Sequence, residues 1–147
     1  MQASDKRKIE FDKRLEQSKT LLDNSRIVEA EKNTEKILED FPDNAEALYV
    51  LAVCQRYLNR LEEALKTLKN LKQIRPGYGR AFQEEGHVCA KAGYISQAKS
   101  AYRHAVNLNN SLIASWAGLT KILKSEGNDE NAKITEHEYK KLQALPV

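Results

Sequence analysis

Apolar residues return along this chain every three or four positions. Leu48, Leu51 and Ala52 precede a polar break, and Leu61, Ala64, Leu65, Leu68 and Leu71 follow it. That period is the mark of helices that each bury one face. A second, longer period lies over the first. Ala30, Ala64, Ala98 and Ala132 recur 34 residues apart, and the same interval relates Ile27, Leu61 and Ile95, and Ile37, Leu71, Ala105 and Tyr139. Five positions before each repeating alanine stand Ser25, Asn59, Gly93 and Gly127. These are residues that end helices, because glycine takes the left-handed backbone freely and asparagine tolerates it. Pro42 and Pro76 sit where a second helix must stop, since proline cannot continue one, and Asn110 takes the third such place. Each unit therefore reads as helix, tight turn, helix, break.

The pattern predicts eight helices, at residues 5–24, 27–40, 44–58, 61–74, 78–92, 95–108, 112–126 and 129–143, with residues 1–4 and the last few frayed. Asp43 followed by Glu46 reads as the capping arrangement that starts the third helix. The repeating alanines are expected where two helix backbones approach closely. No internal linker interrupts the array, so residues 1–147 read as one domain of four units, approximately 11–44, 45–78, 79–112 and 113–146.

The 34-residue period resembles the tetratricopeptide repeat. Leu51-Ala52, Phe82, Gly86, Tyr102, Ala105, Trp116 and Leu119 stand at that pattern's aromatic and small positions. The resemblance implies an all-α, right-handed α-solenoid of four helix-turn-helix units. It departs from the pattern at Arg14 and Thr34 in the first unit and at Asn110 and Glu136 in the last. Those departures read as polar caps on units that have a neighbour on one side only.

The resemblance also implies a function, the holding of another protein or peptide, and a place for it on the first helix of each unit. The implied concave lining includes Lys19, Tyr49, Val53, Arg56, Tyr57, Arg80, Gln83, His87, Lys91, Lys121 and Lys124, with Glu46 and Glu84 among them. Such a groove is net basic and carries two tyrosines, so an acidic peptide or domain is the expected guest. Arginine and aromatic side chains dominate binding sites, which puts the emphasis on Tyr49, Tyr57, Arg56 and Arg80. Of the residues with which some tetratricopeptide domains clamp chaperone tails, only Arg80 is matched, and that partner is set aside.

A narrower likeness runs over residues 45–120. Leu-Ala-Val-Cys-Gln-Arg-Tyr-Leu at 51–58, Phe82-Gln83-Glu84 with Gly86-His87, and Ala105-Val106-Asn107-Leu108-Asn109 with Ser115-Trp116 are similar to the N-terminal repeat region of bacterial proteins in which these repeats precede a sulfotransferase domain. This implies a non-catalytic region of a larger sulfotransferase-family protein, with a C-terminal catalytic domain of the same parent as a further partner. A stand-alone adaptor is the alternative, with a nucleic-acid binder a more remote one.

Composition narrows the classes. Net charge is +3, with 24 basic and 21 acidic residues. Residues 44–110 hold ten basic and five acidic of these. That excess falls short of a nucleic-acid footprint. The longest apolar run, Ala47 to Cys54, is far shorter than the ~20 residues of a membrane span. Two cysteines inside apolar helices, Cys54 and Cys89, read as reduced thiols, and cytoplasmic residence is expected.

No catalytic site, metal site or cofactor is expected. His87 and Cys89 point about 200° apart on a helix and cannot share an ion. Glu62-Glu63, Glu84-Glu85 and Asp129-Glu130 are neighbours that point about 100° apart, as solvated faces and helix starts do. The glycines of Pro76-Gly77-Tyr78-Gly79 lack the strand and fingerprint of a phosphate loop.

Overall fold

The computed structural model describes residues 2–146. Its helices are α1 (Ala3–Asp23), α2 (Ile27–Asp40), α3 (Ala45–Tyr57), α4 (Leu61–Ile74), α5 (Gly79–Ala92), α6 (Ile95–Leu108), α7 (Ile113–Ser125) and α8 (Asp129–Gln143). Every expected helix is present, with ends within two residues of the expected ones. The N-terminal fraying is not found at residues 3 and 4, which already belong to α1. Met1 and Val147 lie outside the described residues.

Four turns of one kind join the two helices of each pair. Ser25, Asn59, Gly93 and Gly127 all have positive φ, at 62°, 60°, 86° and 75°. The amide of the residue after each one donates back five positions: Arg26 to Leu21, Arg60 to Gln55 and Tyr94 to Cys89 at 2.8 Å, and Asn128 to Leu123 at 2.9 Å. The amide of the left-handed residue itself donates three positions back, Ser25 to Leu22 and Gly127 to Lys124 among them. Together these bonds form the Schellman motif, which satisfies carbonyls that a helix end leaves without partners. The same backbone solution therefore recurs with serine, asparagine and glycine.

The start of α3 differs from the expectation by one residue. Asn44, not Asp43, is the cap, and its side-chain oxygen accepts from the Ala47 amide at 3.0 Å. Asp43 lies in the turn, because the helix begins at Ala45 and the capping geometry belongs to the residue just before it.

Two compact units follow one another, one ending at Arg75 and one beginning at Pro76, each with two helix pairs. In the first, α1 packs on α2, α2 on α3 and α3 on α4, with α1 beside α3. Its core holds Leu15, Ala30, Ile37, Ala47, Val50 and Cys54. Glu31 is 5% exposed, and its carboxylate meets Arg60 at 2.6 Å, which ties α2 to the turn before α4. The second carboxylate oxygen of Glu31 is buried without a hydrogen bond. That pairing holds the Arg60 guanidinium above its usual pKa, chiefly through the hydrogen bond it donates to Glu31.

The second unit repeats the arrangement, with α5 on α6, α6 on α7, α7 on α8 and α5 beside α7. Tyr102 of α6 organises it. The ring is buried and lies against Gly86 of α5 and Gly118 of α7, where an added Cβ would stand 2.5 Å from ring carbons in either case. The glycines are thus the space that the ring occupies. Its hydroxyl lies 2.6 Å from Nδ1 of His87. Phe82 stacks flat on His104, centroids 4.1 Å apart.

All four repeating alanines are buried, at 0%, 0%, 0% and 1% exposure. The departures from the repeat pattern prove mixed. Arg14 pairs with Asp40 at 2.7 Å, and Asn110 accepts the Trp116 indole N–H at 2.9 Å through its backbone carbonyl. Glu136 occupies the place equivalent to Tyr102 and meets Lys124 at 3.2 Å and Lys140 at 3.6 Å. Those lysines hold its carboxyl below the usual range, Lys124 first. Thr34, by contrast, is fully buried rather than facing water, and its hydroxyl donates to the Ala30 carbonyl at 2.7 Å.

Candidate functional site

The anticipated lining residues fall on α1, α3, α5 and α7, and the two compact units hold them in two sets. In the first unit Tyr49, Val53 and Tyr57 follow one another four residues apart on α3, which aligns them along one stripe of the helix. Tyr57 at the end of that stripe is 55% exposed, and the Arg56 guanidinium lies 4.6 Å from the centroid of its ring. A cation over an exposed aromatic face presents charge and apolar area together. Tyr49 is half-buried and packs on the unit's core, whereas Val53 is buried, at 7% exposure, rather than open to a guest. Lys19 of α1 donates to Glu46 of α3 at 3.2 Å, so part of its charge is met within the unit.

In the second unit Arg80 and Lys91 are exposed on α5, and Lys121 is exposed on α7. Gln83 is half-buried and accepts from the Ser115 hydroxyl at 2.8 Å, which links α5 to α7. His87 is half-buried and engaged with Tyr102. Lys124 faces α8 through its pair with Glu136. Glu84 is only 2% exposed and lies in the interior, not on the solvated face expected for it. The other adjacent carboxylates, Glu62-Glu63 and Asp129-Glu130, do lie in the first turns of α4 and α8, where the helix dipole favours them.

Both cysteines are free and buried. Burial pushes the Cys54 thiol up to about 12, with the nearby Glu31 charge adding to it. Among the described residues there is no cluster of three or more His, Cys, Asp or Glu side chains able to hold a metal, and no helix long and apolar enough to cross a membrane. His104 and His137 stand on α6 and α8. Those helices carry one feature that the sequence pattern does not mark. Arg103, Asn107, Asn131 and Ile134 surround Trp116 in a cleft. Their signal, polar amides and an exposed isoleucine at helical spacing, is the same as that of any solvated helix face.

Paired helices joined by four turns of one kind define an all-α repeat protein. Profiles of the tetratricopeptide repeat match residues 21–84 and 79–112, together 92 of the 147 residues. The chain belongs to the tetratricopeptide-repeat family. Human tetratricopeptide repeat protein 7A is 27% identical over 92 residues, covering 63% of this chain. This chain spans only 11% of that relative's length. Among solved structures, the crystal structure of MamA superposes with a TM-score of 0.78 at 18% identity, over 90% of this chain and 78% of that one. The first such domain of human RPAP3 gives 0.73 at 18% identity, over 80% and 93%. These likenesses establish the fold, the all-α solenoid class that the 34-residue period implied.

Proposed function

We propose that this chain is a protein-interaction module whose first-helix surface forms a basic concave groove for an acidic peptide or domain. The observation that carries the reading is the Arg56–Tyr57 stack, an arginine over a tyrosine that is more than half exposed. Tetratricopeptide-repeat proteins in general bind proteins or peptides, and arginine with tyrosine is the chemistry that anchors an acidic guest. Arg80, Lys91 and Lys121 supply further exposed positive charge in the second unit. Lys19 and Lys124 belong to the same surface, and each meets a carboxylate. The constant 34-residue spacing passes residue 75 unchanged, which supports reading residues 1–147 as one domain.

The likeness over residues 45–120 supports a finer reading, in which this chain is the non-catalytic N-terminal region of a larger cytoplasmic sulfotransferase-family protein. There it would position a partner or an acceptor for the catalytic domain of the same parent. The mass of the native gene product, measured by immunoblot, tests this. A product several times heavier than 16.7 kDa, with sulfuryl transfer that residues 1–147 alone lack, is the expected result. A product near 16.7 kDa makes the chain a free adaptor.

The groove is tested separately by reversing Arg56 and Arg80 to glutamate. Affinity for an acidic peptide is expected to fall, with helicity and melting unchanged. Equal loss of binding and fold would make these residues structural and overturn the reading.

A further inference from the structure

Helices α6 and α8 both pack on α7, yet no Cα of one lies within 8 Å of a Cα of the other. The gap between them is a cleft of about 320 Å³ floored by Trp116, and it continues past Leu108 and Asn110 on one side and Glu138 and Lys141 on the other. The indole N–H is already committed to the Asn110 carbonyl at 2.9 Å, so the ring is fixed and offers the cleft only its surface. Ile134 stands beside it at 60% exposure, an unusual place for an isoleucine, and Leu108 is 40% exposed.

The walls hold polar side chains that have no partner among the described residues. Asn107 on α6 and Asn131 on α8 both line the cleft, and neither side-chain amide makes a hydrogen bond among the described residues. Arg103, one turn before Asn107, has no ion-pair partner among them. Glu138 and Lys141 at the mouth neutralise each other at 3.3 Å. The charge left over is therefore the single guanidinium.

We propose that this cleft is a second docking site, distinct from the first-helix groove, and that it takes an extended peptide segment carrying an apolar side chain flanked by an acidic residue. A carboxamide presents a donor and an acceptor in one plane, which matches the N–H and C=O of an extended main chain. Amides on both walls can hold such a chain along its length. Trp116 and Ile134 receive its apolar side chain, and Arg103 takes a carboxylate in two-point contact. The cleft is open at its Leu108–Asn110 end, so a continuing chain passes through it where an enclosed pocket would admit only a small molecule.

Trp116 is the only tryptophan in the chain, so its emission reports on this cleft alone. The probe is a panel of blocked peptides of roughly eight residues, about 26 Å when extended, free of Trp and Tyr, each with one leucine or phenylalanine flanked by aspartate or glutamate. A matched panel carries lysine in place of each acid. Saturable change of Trp116 emission is expected with members of the acidic panel and not with their lysine counterparts. Losing both amide contacts, in the chain with Asn107→Ala and Asn131→Ala, is expected to weaken binding by about tenfold or more. Arg103→Glu is expected to reverse the preference between panels. All three residues are exposed, so these variants fold. The chain with Arg56→Glu and Arg80→Glu is expected to bind unchanged, which keeps a failure of the groove reading separate from a failure of this one. No response to either panel, or binding that survives loss of both amides, overturns the proposal. A change of Trp116 emission on concentrating the protein without peptide assigns the cleft to a second copy and overturns it as well.

Discussion

Ser25 holds a left-handed backbone at φ 62° in a place where the third and fourth units use glycine. A Cβ in that conformation costs roughly 1–2 kcal/mol, against roughly 0.5–1 kcal/mol of extra chain entropy that a glycine loses on folding. The first term is the larger. Ser25→Gly is accordingly expected to stabilise the chain by about 0.5–1 kcal/mol, read as a higher urea midpoint. A lower midpoint would mean that the serine hydroxyl does something in the turn that the Schellman bonds do not require. Cys54 gives a second prediction at this scale, in pH. Its thiol stays protonated in the folded chain up to about 12, whereas its ordinary value is 9.0. Between those values the unfolded chain releases a proton that the folded chain keeps, so the contribution of Cys54 to stability is whole below about pH 9 and is lost as pH rises. The stability gap between the native chain and Cys54→Ala should therefore narrow as pH rises from about 9 toward about 12. A constant gap would show that the thiol ionises alike in both states.

At the scale of elements, the helix pair is decided by where a large ring meets a missing side chain. Tyr102 fills the room left by Gly86 and Gly118, and each added Cβ would fall 2.5 Å from its ring. Alanine is the better helix former by ~1 kcal/mol, yet overpacking a buried ring costs about 1–3 kcal/mol. Gly86→Ala should thus lower the melting temperature, and Tyr102→Leu placed in the same chain should recover most of the loss. A melting temperature raised by Gly86→Ala alone would show that the ring moves aside freely. The sequence marked Gly86 and Tyr102 separately as repeat positions, but their meeting is a fact of packing. Helix ends were legible because turn residues act locally. The cap at Asn44 differs by one residue from the expected one because Asp43 and Asn44 offer equally good capping chemistry, and only the backbone decides between them.

For the whole molecule, a net charge of +3 with most acids and bases interspersed sets the long-range field. Binding to nucleic acid would have to come from neutralising phosphates, and that term falls steeply with salt. Labelled duplex DNA is therefore expected to show no retention near 0.15 M salt, and retention there would reverse the choice of a protein partner. By itself the sequence determined the helix count, the turn positions, the repeat and hence the family, because these follow from local backbone preference and from a period that needs no knowledge of neighbours. Tertiary structure alone decided which polar residues are spent and which are offered. It buried Val53, Glu84 and Thr34, paired Lys124 with Glu136 and Glu31 with Arg60, and left the side chains of Asn107, Asn131 and Arg103 without partners among the described residues around Trp116. A charged or amide side chain reads the same in a sequence whether it meets solvent or a neighbour, since its partner comes from another helix and its fate is set by distance in space.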